Sequence, residues 1–419
     1  MGKTRRWRGP VAAATALLAG VAGLLTAAAS ISPAQATAKA SAPPTAWGVV
    51  QRIPDLDADA GKDVGSGESI EWPGEYSAVD FNVVSCTKPG YCTAGGDFIA
   101  PPGHYADAEL GWVATESGGA WTAPKVIRIG VGNPPSGSVT AVSCASPGNC
   151  AAVGYDGEDY DGYVYHYGAF VLDEVNGKWD APRQIPGTEA LNPGFFDSGR
   201  ATSVSCSAPG DCAVAGAVKG SQEFVDTETN GVWGTAQLVP GTKTLGAAGP
   251  TISCPKPGDC TLASSQLTPT LASVTSVATE TNGVWGTAAP LPGYAAAHGA
   301  VTSLSCRAAG DCSAAGWTTR GPGGKDTVPF VASEVKGTWT SQGLPGFAKL
   351  SPASVNLGAV TTVSCASAGN CSAGGWYRPT AGDTNVFLVN QVHGVWQTAT
   401  PVAGEIGRAS CRERVLMPV

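Results

Sequence analysis

The sequence predicts an all-β chain folded as a β-propeller, with six complete four-stranded blades and one strand of a seventh. Three observations predict it. A self-similar unit recurs six times, every copy carries a pair of cysteines six residues apart, and 57 Gly and 31 Pro accompany only 14% charged residues. Many short strands joined by tight turns need that composition, and a repeat of roughly 50 residues matches one four-stranded blade.

Each unit opens with a β-branched run ending in Ser-Cys, and a second Cys follows after five residues. The pairs are Cys86 with Cys92, Cys144 with Cys150, Cys206 with Cys212, Cys254 with Cys260, Cys306 with Cys312 and Cys365 with Cys371. Successive first cysteines are 48 to 62 residues apart. Strand a is the run into the first Cys, as in residues 302–306 (TSLSC). A turn such as Pro209-Gly210-Asp211 or Pro147-Gly148-Asn149 leads to strand b, which starts at the second Cys. Strand c follows a loop of variable length, as in residues 330–335 (FVASEV).

A two-residue turn then opens strand d, which carries a Trp near its start. Asn176-Gly177 precedes Trp179, Asn230-Gly231 precedes Trp233, and Asn282-Gly283 precedes Trp285. The same slots hold Gly119 and Trp121, Lys336-Gly337 and Trp339, and His393-Gly394 and Trp396. Asn-Gly between two alternating runs is a hairpin signal, because both residues tolerate positive φ. A Trp fixed at one place in every unit reads as packing between blades. Strand d ends in an apolar-Pro-Gly corner such as Val239-Pro240-Gly241.

The cysteine spacing straddles the a–b turn, so each pair is expected to staple its own hairpin. Metal binding would need histidines nearby, and the four His are placed irregularly. The spacing is also not the reactive C-x-x-C of redox proteins. Paired structural cysteines imply an oxidising compartment.

The ends fit export and an interrupted repeat. Lys3, Arg5, Arg6 and Arg8 precede an uncharged apolar run and a small-x-small site near Ala36, the pattern of a signal peptide over residues 1–36. Residues 37–46 read as a linker and 47–404 as the propeller. Residues 47–54 (WGVVQRIP) match residues 233–240 (WGTAQLVP), a strand d without its blade. Because the sixth unit has its own strand d, the orphan implies a seventh unit that supplies strands a to c. Residues 405–419 leave the repeat, and 405–415 (EIGRASCRERV) resemble translated sequencing-adapter sequence, so this tail, with the unpaired Cys411, is expected to be non-native.

The unit resembles the S-C-x5-C blades of secreted bacterial β-propeller repeat proteins over residues 47–404. More distantly it resembles sialidase-type Asp-box propellers, although Asn230-Gly231-Val232-Trp233 departs from their spacing. That resemblance implies a carbohydrate-active enzyme, with clustered Arg and a Tyr/Glu pair at the mouth of the central channel. Here Arg128, Arg183, Arg200, Arg307, Arg320 and Arg378 share no common slot, and no catalytic residue is assigned. The leading expectation is a secreted, non-catalytic propeller whose loops bind glycan, cell-envelope or protein partners. A secreted glycosidase or sialidase-like enzyme is the alternative.

A net charge of −8, made more negative by loss of the basic leader, gives no electrostatic basis for binding nucleic acid. After cleavage of the leader a monomer without membrane attachment is expected. Two loops stand outside the repeat. Asp55, Asp57, Asp59 and Asp63 alternate as calcium ligands do, although Ser66 occupies the place of a closing Glu. Tyr160, Asp161, Tyr163, Tyr165 and His166 form an acidic, tyrosine-rich stretch suited to ligand recognition.

Overall fold

A computed structural model describes residues 53–54, 78–99, 109–127, 135–160, 163–191, 199–218, 222–242, 249–267, 273–294, 298–320, 326–380 and 383–402. Six antiparallel sheets follow one another along the chain, one for each repeat, and each runs in the order a-b-c-d. They are the six blades of a β-propeller. Blade 3 serves as the pattern: strand a is Arg200–Ala208, b is Asp211–Val218, c is Gln222–Thr229, and d comprises Val232–Trp233 and Gln237–Leu238.

Cysteine spacing and strand register agree in five blades. Cys86 stands directly opposite Cys92, Cys144 opposite Cys150, Cys206 opposite Cys212, Cys306 opposite Cys312 and Cys365 opposite Cys371. Blade 4 differs. Its a–b ladder is interrupted between Ser253 and Lys256, where Pro255 has no N–H to give, so Cys254 and Cys260 are not ladder partners. The bridge forms there regardless, and the Cα atoms of all six pairs lie 3.9 to 4.1 Å apart. All six pairs are disulfides. Each closes a very short loop, which limits its stabilisation to about 2 kcal/mol by chain entropy.

The two turns at one end of each blade hold each other. The Gly177 N–H donates to the Gly148 carbonyl at 2.8 Å, and equivalent bonds join Gly119 to Gly90, Gly231 to Gly210, Gly283 to Gly258, Gly337 to Gly310 and Gly394 to Gly369. Asn176 and Gly177 sit at φ 52° and 79°, the left-handed pair that the Asn-Gly signal requires. A Cβ on Gly148 would stand 2.8 Å from the Gly177 nitrogen, so this close approach needs glycine.

Within the sheets, a strand b glycine faces a strand c aromatic. The pairs are Gly96/Trp112, Gly154/Phe170, Gly216/Phe224, Gly316/Phe330 and Gly375/Phe387. All five rings are buried. Blade 4 departs from this arrangement and sets Ser264 against Ser276, with hydroxyls 3.2 Å apart.

Adjacent blades share apolar clusters. Val171 and Ile185 of blade 2 pack with Val214, Phe224 and Trp233 of blade 3, and similar clusters join blades 1 and 2, 3 and 4, 4 and 5, and 5 and 6. The strand d Trp belongs to these interfaces, as the sequence suggests. A ladder of hydrogen bonds crosses the same seams. The serine of the Ser-Cys in blades 1 to 5 accepts the backbone N–H of the first Cys of the next blade. Ser85 accepts from Cys144, Ser143 from Cys206, Ser205 from Cys254, Ser253 from Cys306 and Ser305 from Cys365, at 2.9 to 3.1 Å. A bulge in strand a turns a second side chain toward the following blade. Asn82 donates to the Val139 carbonyl, Thr140 to Ala201, Thr202 to Pro250 and Thr302 to Val360.

Strand d differs from the single run expected. Five blades split it, and only blade 5 keeps it whole, as Thr338–Gly343. Six residues separate the Trp from the corner residue in blade 3 (Trp233 to Val239), but only five in blade 5 (Trp339 to Leu344). In blades 3, 4 and 6 the interrupted stretch turns a backbone N–H to the preceding blade's corner: Ala236 to Pro186, Ala288 to Pro240 and Ala399 to Pro345. In blade 5 the Ser341 hydroxyl reaches the Pro292 carbonyl instead. One-turn helices, Thr188–Leu191 and Phe347–Leu350, follow the corners of blades 2 and 5 and are not evident from the repeat.

Replacing Ser205 by Ala leaves the half-buried Cys254 N–H without its acceptor, at a cost of about 1–2 kcal/mol. We expect the S205A variant to melt several degrees below wild type by calorimetry, while S117A, at an exposed strand end, melts unchanged.

Candidate site between blades 2 and 3

Two residues before each c–d turn the chain places a carboxylate or its amide: Glu116, Glu174, Glu228, Glu280, Glu334 and Gln391. Each stands opposite the strand d Trp, as Glu228 opposite Trp233. The last five are buried. At the seam of blades 1 and 2, the Thr115 hydroxyl donates to Glu174 Oε1 at 2.9 Å and accepts from Trp179 Nε1 at 3.1 Å. At the seam of blades 5 and 6, Ser333 Oγ accepts from Gln391 Nε2 at 2.8 Å and from Trp396 Nε1 at 3.0 Å. Burial raises the pKa of Glu174, Glu280 and Glu334, and that of Glu228 reaches about 7. The serviceable amide in blade 6 marks the slot as structural, one in which an uncharged group serves.

One seam breaks this pattern. Where blades 1, 3, 4 and 5 have Thr115, Thr227, Thr279 and Ser333, blade 2 carries Asp173, at the end of strand c (Tyr163–Val175). Asp180 follows Trp179, and Arg183 lies three residues on. The c–d hairpin brings all three together. Arg183 Nη2 donates to Asp173 Oδ2 at 2.5 Å, and Nη1 to Asp180 Oδ2 at 2.6 Å. The Asp173 N–H donates to Asp180 Oδ1 at 2.8 Å, and Trp233 Nε1 of blade 3 donates to Asp173 Oδ2 at 3.1 Å. Behind Asp180, Lys125 Nζ of blade 1 donates to its carbonyl at 2.5 Å.

This constellation lines a cleft of about 610 Å³ between blades 2 and 3. Asn149, Asn230 and Pro209 also line it, together with Val175 and Val232, which are well exposed. Desolvation raises the Asp173 pKa, against the opposing pull of Arg183 and Trp233. For Arg183, burial alone would lower the pKa, but bonding to Asp173 and the charges of both aspartates raise it. Glu228 is pushed up by its own burial first and then by the Asp173 charge. Asp180 and Arg183 remain open to solvent, with side chains 42% and 38% exposed. The cleft therefore presents a fixed acceptor and a fixed planar donor side by side, between apolar walls.

The residues singled out from sequence fall differently. The twelve repeat cysteines are all bridged within their own hairpins. Cys92, Cys150 and Cys260 are thus as closed to metal or thiol chemistry as their partners Cys86, Cys144 and Cys254, and the same holds for Cys206, Cys212, Cys306, Cys312, Cys365 and Cys371. Cys150 and Cys212 border the cleft, but only as bridged sulfurs that form part of its wall. Asp55, Asp57, Asp59 and Asp63 lie outside the described residues, and among those described no cluster of His, Cys, Asp and Glu could hold a metal. Tyr160, Tyr163, Tyr165 and His166 lie on the extended b–c hairpin of blade 2, where Tyr160 pairs with Tyr163 and Glu158 with His166. Their side chains, and Asp161 entirely, lie outside the described residues. The six strands a carry one carboxylate, Asp80, which stands opposite Asp97 of strand b in blade 1. Sequence reasoning missed the buried glutamate slot, although its signal was present: Glu stands five residues before the Trp in five units.

No protein-family profile matches the chain, and no curated relative matches it. Solved structures similar to it include a protein of unknown function from Dyadobacter fermentans, at 11% identity, covering 76% of this chain and 96% of that one with a TM-score of 0.44. An ulvan lyase of a new polysaccharide lyase family aligns at 12% identity over 75% and 81% of the two chains, with a TM-score of 0.44. The six-bladed fucose-recognising lectin of Aleuria aurantia aligns at 13% identity over 77% and 97%, with a TM-score of 0.37. At these scores the likeness carries no weight, and the fold assignment rests on the six sheets themselves.

The raised Glu228 pKa has a direction that can be measured. Between the ordinary carboxylate range and about pH 7 the unfolded chain ionises Glu228 while the folded chain keeps it protonated. Stability from this group is therefore full at acid pH and lost as pH rises through that window. Glu223, fully buried and also pushed to about 7, acts in the same direction. We expect calorimetry to give a lower melting temperature at pH 8 than at pH 5, and E228Q, which copies Gln391, to shrink that difference.

Proposed function

We propose that the protein is an exported, non-catalytic binding propeller that takes a polyhydroxylated ligand, a glycan, in the cleft between blades 2 and 3. The observation that carries this reading is the Asp173–Arg183–Asp180 set, which departs from the repeat at one seam and lines an open cleft. A blade repeat needs only a hydroxyl at the Asp173 slot, as Thr115 and Ser333 do elsewhere. Three charged residues there exceed what packing requires. A carboxylate beside a guanidinium offers an acceptor and paired donors at fixed separation, which suits vicinal hydroxyls. A volume of about 610 Å³ lies within the ordinary range of small-ligand pockets.

Binding is favoured over hydrolysis because the carboxyl groups of the cleft have other partners. Asp173 is held by Arg183 and Trp233, and Glu228 fills a slot that recurs in the other blades. Export is supported by six disulfides. Among the described residues no helix is long and apolar enough to cross a membrane.

The test is glycan-array screening of the folded protein, then titration calorimetry with the best binder for wild type, D180N and R183K. We expect both variants to bind at least 10-fold more weakly with an unchanged melting temperature. Full affinity in both variants overturns the site, and release of reducing ends from the bound glycan overturns the non-catalytic reading.

A further inference from the structure

We infer that the far face of blade 6 is a blade interface, and that its occupant is a further S-C-x5-C blade whose strand d ends at this chain's Ile53-Pro54 corner. This is independent of the cleft between blades 2 and 3. In every other blade the following blade covers two apolar slots. In mid-strand c, Val113, Val171, Val225, Val277 and Val331 are at most 8% exposed, but Leu388 of blade 6 is 40% exposed. At the strand d corner, Ile127, Ile185, Val239, Leu291 and Leu344 are at most 5% exposed, whereas Val402 is 39% exposed. The slots are equivalent by hydrogen bonding, since Val402 donates to Val386 as Val239 donates to Glu223 and Leu344 to Pro329. Polar slots on the face agree. Ser372 and Asn390 are exposed, where Ser313 and Ser333 of blade 5 are buried under blade 6.

The opposite end supplies the matching half. Ile53 is 6% exposed and packs with Ala94, Phe98, Leu110, Trp112 and Ala114 of blade 1. That is the contact Ile185 makes with blade 3 and Leu344 with blade 6: a strand d corner residue against the blade after it. Ile53 and the adjoining Pro54 also stand in sequence where Val239 and Pro240 do. Blade 1 is thus preceded by a strand d corner, and strands a, b and c of the same blade would cover the slots that are exposed on blade 6. Such a blade would offer its first Cys N–H to Ser364, as Cys365 offers its own to Ser305.

The experiment crosses two changes. Blade 3 strands a to c, residues 199–229, are appended after Gly404, and L388D is placed in both the original and the extended chain. Sedimentation velocity and melting are measured on all four proteins. The expected result is a monomeric extended protein that melts at least 5 °C above the original, with L388D lowering melting in the extended protein only. Equal effects of L388D in the two backgrounds, or no gain from the extension, overturn the inference. A concentration-dependent dimer of the original chain that L388D abolishes also overturns it, because the face then belongs to a second copy.

Discussion

At five successive seams a serine hydroxyl on one blade receives the backbone N–H of a cysteine on the next. The interaction is small in energy but strict in geometry, because a half-buried N–H must find an acceptor where the two strands a converge. It sets the axial register of each blade on its neighbour. With that register fixed, the corner residue of strand d meets the next blade's core, and the strand d Trp meets the preceding blade's strand c. The disulfide carried by the same cysteine holds the a–b hairpin to the shape that presents both groups. Cysteine and serine therefore have separate tasks: one secures the hairpin and the other seats it.

Electrostatics follow from the same seating. Packing blade on blade buries the residue opposite five of the six Trp, and burial raises the pKa of Glu174, Glu228, Glu280 and Glu334. Asp173, one residue before that slot in blade 2, has a charge partner, since Arg183 reaches it along the hairpin. The contrast separates carboxyls whose pKa burial raises from Arg183 and Asp180, whose side chains stay open to solvent. Only the second kind can discriminate among ligands by charge.

Much of the propeller was legible because its signals are local. Asn176-Gly177 announces its turn within two residues, and Cys206 and Cys212 announce their hairpin within seven. The serine beside each cysteine was equally visible, but its partner belongs to the next repeat, and no local pattern reveals a bond across some 50 residues. The glutamate slot escaped for a similar reason: Glu228 looks like an exposed turn-flanking residue until the neighbouring blade covers it. Asp173 and Arg183 lie ten residues apart and meet only through the register of a hairpin with an interrupted strand d. The acidic and tyrosine-rich loops drew attention by composition, whereas the cleft is made of residues that are ordinary in composition and unusual only against the other repeats.

The serine ladder also has a polarity. The acceptor is always a side chain of the upstream blade, and the donor is always main chain of the downstream one. A unit copied into the array would bring its own acceptor and would find in any successor a donor that mutation cannot delete. Insertion of a unit therefore requires no matching change next door. Divergence among the blades, from the Ser264/Ser276 pair to the shortened strand d of blade 5, can accumulate without the seams losing their common grammar.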